Sequence, residues 1–276
     1  MAEPTADTDD LRHGLRALGL SGRTVCVHSS LRSFGHLEGG PAGFVTACLQ
    51  EGCTVLVPTF SWDAYLVAPP EDLRPPRNGT DYTWQPVPER SEPYTPTSDA
   101  LDRHEMGAIP AAVLDHLDHV RGDNPLCSFA AVGELAAQLI GPQTWDDTYA
   151  PLRALCRQRG AVLLAGVDLT AMTLLHLAEL DAGRQPFQRW ARTRHHRVVA
   201  VPVGGCSDGF EQLRPVLQHH MRSTHVGSSH WESYDAAASL EAATQAIEQE
   251  PETTVCSERC ERCLEARDGG PIIHSS

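Results

Sequence analysis

The sequence predicts an α/β fold with one principal domain and a small cysteine-rich annex at the C-terminal end. Three observations carry that expectation. Short β-branched or wholly apolar runs, at 24–28, 54–57 and 161–167, alternate with longer stretches of helical spacing. Strands that alternate with helices in this way pack as an α/β layer. The last 21 residues then break the rhythm with Cys256, Cys260 and Cys263 in a polar setting.

Residues 1–8 read as a frayed tail. Leu11, Leu15 and Leu18 recur at helical spacing, and Gly19 supplies a stop. The strand at 24–28 runs into Ser29-Ser30. A Gly39-Gly40 turn precedes a helix over 41–50, which leads to the strand at 54–57. Eight prolines fall between 68 and 98, so 62–105 is expected to be a long insertion loop, functional or disordered, with Tyr82, Trp84 and Tyr94 arguing against simple disorder. Order resumes with helices at about 108–119, 133–140 and 151–159. Next come a buried strand at 161–167 and a helix over 171–181 with Thr170 as its N-cap. A strand over 197–203 ends at Gly204-Gly205. Helices near 209–220 and 235–249 precede the tail at 250–276.

Composition narrows the function. A hydrophobic fraction of 41% with 21% charged residues is that of a globular protein and excludes global disorder. The 22 Lys+Arg against 36 Asp+Glu leave a net charge of −14, with no basic run to follow a phosphate backbone. Nucleic acid and anionic membranes are therefore excluded as partners, and a small cation is favoured. No window approaches the ~18 apolar residues of a membrane span, and the N-terminal segment lacks the apolar core of a signal peptide. A cytoplasmic location is expected. The nine cysteines are then thiols, ligands or core residues rather than disulfides.

Three constellations could carry chemistry. His176 and Glu179 stand i and i+3 on the helix that follows the central strand, with Thr173 a turn earlier and Asp168 at the strand exit. A carboxylate-held histidine suits a general base, although a core histidine satisfied by a local hydrogen bond has the same spacing. The second is the turn His28, Ser29, Ser30, Leu31, Arg32, Ser33, Phe34 and Gly35, whose backbone amides could face an anion or a carbonyl oxygen. The third is Cys256, Cys260 and Cys263, three ligands of a structural zinc site, with Cys206 favoured as the fourth and His274, His225 and His230 as alternatives. Dinucleotide, Walker, nucleophile-elbow and zincin motifs are missing. The pairs His195-His196 and His219-His220 are read as surface, because neighbours on a helix point about 100° apart.

Several segments, taken in order, resemble the aminoglycoside 3-N-acetyltransferase family. They are Val27 to Leu31 with Phe34-Gly35, Gly39-Gly40, Val57 to Ser61, Met106 to Pro110, Asn124 to Gly133, and Thr173 to Glu179. The resemblance implies a layered α/β/α fold with a central mixed sheet, unlike the common small N-acetyltransferase fold. It implies an acetyl-CoA-dependent N-acyltransferase in which His176 is the base and Glu179 lies nearby. It also places the pantetheine arm on the 28–35 turn with Ser128 and Phe129, and the oxyanion at amides near Ser30 and Leu31. Acceptor contacts are expected from Asp63, Asn124, Asp168 and Thr173. The chain departs from the family pattern at Asn124, where a histidine is usual, and at Ala111, where a glutamate is usual. Those departures and the proline-rich loop leave two alternatives: a non-aminoglycoside amine acceptor, or a silent, zinc-stabilised binding protein.

Overall fold

The computed structural model describes residues 5–273. The chain opens with β1 (Thr5–Ala6) and α1 (Thr8–Ala17), started by a capping box in which the Asp7 carboxylate accepts from the Asp9 and Asp10 amides. The strand β2 (Thr24–Ser29) follows, then β3 (His36–Leu37), α2 (Gly40–Gln50) and β4 (Thr54–Pro58). The loop region holds α3 (Trp62–Tyr65), β5 (Leu66–Val67) and α4 (Arg103–Met106). Beyond it lie α5 (Ala108–Leu114), β6 (Val120–Arg121), β7 (Phe129–Val132), α6 (Ala136–Ile140), α7 (Ala150–Arg157), β8 (Ala161–Ala165) and α8 (Leu174–Asp181). The chain continues through β9 (Phe187–Arg192), β10 (Val198–Val203), α9 (Arg214–Leu217), β11 (Met221–Val226), β12 (Ser229–Asp235), α10 (Ala236–Gln249) and α11 (Glu261–Arg267).

The main sheet has the order β11-β12-β8-β2-β4-β7-β6. Its centre, β8-β2-β4, is parallel, and antiparallel pairs extend it on both sides. Alternation along the central strands divides the core into two layers. Val25, Val27, Leu163 and Ala165 pack with α1, α2 and α5 on one face. Cys26, Val162 and Leu164 pack with α6, α7, α8 and α10 on the other. This is the expected α/β/α arrangement.

Four local readings differ from the structure. Thr5–Ala6 pairs in parallel with His36–Leu37 and is not a free tail. The 62–105 region is not one uninterrupted loop. Its β5 joins β9 and β10 in a second, antiparallel sheet, and Tyr65, Leu66, Tyr94 and Ala100 form a third core cluster with Phe187, Val201 and Val203. The β11–β12 hairpin occupies 221–235, where the sequence pattern offered no strand. Its polar Arg222, His225, His230 and Glu232 hide the alternation, although Gly227-Ser228 is a two-residue hairpin signal. Finally, Thr170 does not cap α8. The Asp168 carboxylate caps a short 3-10 turn at Leu169–Ala171 by accepting from the Thr170 amide, and α8 starts later, at Leu174.

Candidate active site

A cleft of about 720 Å³ opens at the carboxyl ends of the parallel strands, where ligands gather in open α/β sheets. One wall comes from the sheet: Val27, His28 and Ser29 at the end of β2, Pro58 and Phe60 after β4, and Val167 after β8. The facing wall comes from the loop and the C-terminal region: Gly79, Thr80 and Trp84, then Gly204, Gly205, Ser207 and Arg262. Asp63, Thr173 and His176 also line it, so these three sequence-derived candidates share one space.

His176 is fixed from several sides. Its Nδ1 is 3.0 Å from Glu179 Oε2, on the next turn of α8. The ring stacks on Tyr149 at 6.4 Å and meets Phe210 edge-on at 4.8 Å. Gly204 presses on its face, and a Cβ there would lie 2.5 Å from the ring carbons. With Nδ1 held by the carboxylate, Nε2 is the nitrogen left for a proton in the cleft. Glu179 is 6% exposed, and its Oε1 accepts from Arg184 Nη1 at 2.5 Å and from the Thr254 hydroxyl at 3.3 Å. Thr254, Gly204 and Tyr149 carry no local sequence signal toward His176, since distant segments bring each of them in, whereas Arg184 lies five residues past Glu179, just beyond the end of α8.

His28 contrasts with it. It lines the cleft at the end of β2 but is 7% exposed, has Cys26 Sγ at 3.7 Å, and has its pKa pushed down to about 4 by burial. Its ring is therefore neutral at pH 7. Of the turn that follows, only Ser29 joins it in the cleft lining. The Ser30 amide donates to the Ala165 carbonyl at 3.0 Å, so it is already committed. Ser33 Oγ bonds to the Ser30 carbonyl and to Ser229, and Phe34 is buried among Phe44 and Trp231. Leu31, Arg32 and Gly35 do not line the cleft.

Four further candidates serve the scaffold. Ser128 donates to the Thr59 carbonyl at 2.8 Å and accepts from Arg121 Nε at 3.0 Å, and Phe129 is fully buried. Asn124, with no exposed surface, donates to Thr148 Oγ1 and the Thr144 carbonyl and accepts from the Leu126 and Cys127 amides. It thereby stitches together the segment that precedes β7. Asp168 is exposed and engaged with Thr170, outside the cleft lining. None of the four is brought to the cavity.

The four cysteines do converge. The sulfurs of Cys206, Cys256, Cys260 and Cys263 all lie within 4.8 Å of one another, with 3.8 Å between Cys206 and Cys256 and 3.5 Å between Cys256 and Cys263. His225 and His230 pair with each other on the β11–β12 hairpin, 4.9 Å between ring centroids, and are not part of the cluster. His274 lies outside the described residues. The charge in the cleft is balanced: its lining includes Asp63 and Glu105 as well as Arg189 and Arg262. Burial, and then the adjacent Arg262, push Arg189 down to about 10, which leaves it a cation at neutral pH. The net −14 is therefore not focused on the cleft.

The layered α/β scaffold thus carries a carboxylate-backed histidine in a cleft at its strand ends. The family model described as aminoglycoside 3-N-acetyltransferase matches residues 26–248, and the chain belongs to that family. It is 37% identical over 179 residues to aminoglycoside N(3)-acetyltransferase VII of Streptomyces paromomycinus, a match that covers 61% of this chain and 58% of that protein. The match thus spans under two thirds of that relative's length. The fold is similar to that of the aminoglycoside acetyltransferase AAC(3)-IVa apoenzyme, with a TM-score of 0.76, 23% identity, and coverage of 98% of this chain and 100% of that one. It is also similar to AAC-IIIb solved with CoASH, with a TM-score of 0.69, 25% identity, and coverage of 89% and 97%. Among the described residues no helix is long and apolar enough to cross a membrane.

Proposed function

We propose that the protein is a CoA-dependent N-acyltransferase that moves an acetyl group from acetyl-CoA to an amine of an aminoglycoside-type acceptor, with His176 as general base. The observation that carries this reading is His176 in the cleft with its Nδ1 3.0 Å from a buried carboxylate. An acceptor ammonium must lose a proton before its nitrogen can attack a thioester. Nε2 takes that proton, and Glu179, held by Arg184, stabilises the imidazolium that results. The nitrogen then bonds to the thioester carbonyl carbon. Collapse of the tetrahedral species breaks the C–S bond, and the imidazolium passes its proton to the departing thiolate. The second proton that the new amide nitrogen sheds goes to water, so that ammonium and thioester become amide, thiol and one released proton. In this reading His28 and Ser29, which line the sheet wall, border the pantetheine arm, and Asp63 and Thr173, which line the same cleft, border the acceptor. Acyl-CoA is a cytoplasmic metabolite, so the cytoplasm is the compartment this reading requires.

The cysteine cluster is assigned to structural zinc. A tetrahedral site with Zn–S bonds of about 2.3 Å has S···S edges of roughly 3.8 Å, and the observed 3.8 and 3.5 Å fit that frame. Four thiolates leave no open position, so the ion would tie the tail at 256–263 to Cys206 and take no part in the chemistry. About one zinc per chain is expected from metal analysis of untagged protein purified without chelator.

A second reading of the acceptor is favoured by the balanced charge of the cleft. Arg189 and Arg262 stand where a polycation would prefer acids, which suits an amine acceptor with fewer positive charges than a clinical aminoglycoside. Release of the CoA thiol, followed across a panel of aminoglycosides and other amines with wild type and His176→Ala, tests both. Turnover of aminoglycosides that His176→Ala loses supports the first reading, and turnover confined to other amines supports the second. No turnover of any amine, or full activity in the variant, overturns both.

A further inference from the structure

The cysteine cluster and the histidine–carboxylate pair are joined by two sets of contacts, the first of them buried or partly buried. Glu179 gives one oxygen to His176, while its other accepts from Arg184 and from the Thr254 hydroxyl. Arg184 Nη1 also donates to Thr254 Oγ1 at 2.5 Å, and its Nη2 to the Pro251 carbonyl at 2.6 Å. Thr254, 2% exposed, stands two residues before Cys256, and its carbonyl lies 3.9 Å from the Cys263 sulfur. The second connection runs through Cys206. It follows Gly204, which presses on the His176 ring, and Gly205, whose carbonyl accepts from Arg262 at 2.8 Å. Arg262 lies between Cys260 and Cys263. The cluster therefore holds the backbone on both sides of the catalytic pair.

We propose that the cysteine-bound tail is a positioning arm of the catalytic pair, in which Thr254 and Arg184 orient the Glu179 carboxylate and, through it, the His176 ring. This rests on the reading of His176 as base and of the cysteines as a metal-held knot. A buried carboxylate keeps one orientation only while its oxygens are occupied by fixed donors. Thr254 supplies such a donor from a short 3-10 turn at Pro251–Thr254, which is also held by Arg184 at the Pro251 carbonyl, by Gln212 at the Val255 carbonyl and by Arg267 at the Glu252 carboxylate. A metal-held cluster two residues on gives that turn a fixed anchor.

The test compares Thr254→Val, which keeps the shape and removes the hydroxyl, with Thr254→Ser, which restores it. Two readouts are taken on protein whose metal content equals that of wild type. The first is the kinetics of CoA release. The second is the downfield Nδ1–H proton resonance of His176, identified by its loss in His176→Gln. For Thr254→Val, kcat is expected to fall roughly five- to tenfold, the loss of one hydrogen bond to a charged group, with both KM values within about twofold of wild type. The resonance should shift in the same variant, and Thr254→Ser should restore both. Stripping the metal with a chelator should shift or broaden the same resonance while the circular dichroism of the sheet persists. Wild-type kcat with an unmoved resonance in Thr254→Val overturns the proposal, as does equal impairment of Val and Ser, or an unmoved resonance after metal removal. The resonance is read without turnover, so a failure of His176 as base, seen as an active His176→Gln, is distinguishable from a failure of the arm.

Discussion

The two walls of the cleft are held by different physics. The sheet wall is the end of a parallel three-strand centre whose side chains are buried on both faces, so its geometry follows from packing. The facing wall is made of turns, glycines and a short tail helix, and it is held by side chain to backbone hydrogen bonds and by the cysteine cluster. Each wall is associated with one histidine. His28 sits on the sheet wall, buried and, among the described residues, without a carboxylate partner; His176 stands under the facing wall with Glu179, Arg184 and Thr254 behind it. The difference teaches that the site's stability and the proton chemistry proposed for it reside in separate parts of the chain. Damage to the sheet wall should cost folding, and damage to the facing wall should cost turnover.

Four substitutions test that division, in order of expected size. Leu163→Ala deletes a fully buried side chain of β8 and should lower stability by about 2–5 kcal/mol in denaturant unfolding, with kcat close to wild type in the folded fraction. Next is the pH dependence set by His28. The folded ring stays neutral down to about pH 4, whereas the unfolded ring takes up a proton near 6.5. Protons therefore favour unfolding within that window: the stability is fully present above pH 6.5 and is lost as pH falls toward 4, by up to about 3 kcal/mol. The difference in unfolding free energy between wild type and His28→Gln should shrink with that slope. A flat difference would show that the sheet wall does not exclude the charged ring. Third, Gly204→Ala brings a methyl against the His176 ring and should lower kcat roughly tenfold at a cost of about 1–3 kcal/mol in stability. A loss of folding instead would merge the two walls into one unit. The smallest effect is expected at Asp168→Ala, within about 0.5 kcal/mol in stability and without change in acceptor KM, because that carboxylate only caps an exposed turn. A raised acceptor KM would return Asp168 to the site.

The same division sets what was legible in the sequence. The apolar runs of β2, β4 and β8 announce themselves, because strands buried on both faces carry an unbroken hydrophobic signal. The His176–Glu179 pair was legible because it lies within one helical turn, and the cysteines because ligand spacing is local. The supports of the facing wall were not. Thr254 reaches Glu179 across 75 positions, and Asn78 pairs with Gln188 across 110. Nothing in either local sequence marks the partner. Asn124 and Ser128 illustrate the converse. They fall in segments that carry the family pattern, yet their polar atoms are spent on backbone groups and neighbouring side chains of the scaffold. A motif identifies a segment, and only three-dimensional placement separates the residues that face the cleft from those that hold it up.

The central claim is that His176 takes the acceptor's proton. It is tested most directly by single-turnover CoA release in His176→Gln, with the acceptor that the wild type uses best and with both substrates saturating. Glutamine fills much of the ring's space between Tyr149, Phe210 and Gly204 but cannot accept a proton at neutral pH. The account predicts a rate lowered by roughly 10²- to 10⁴-fold in protein that unfolds at the wild-type midpoint. A rate within a few-fold of wild type would contradict it.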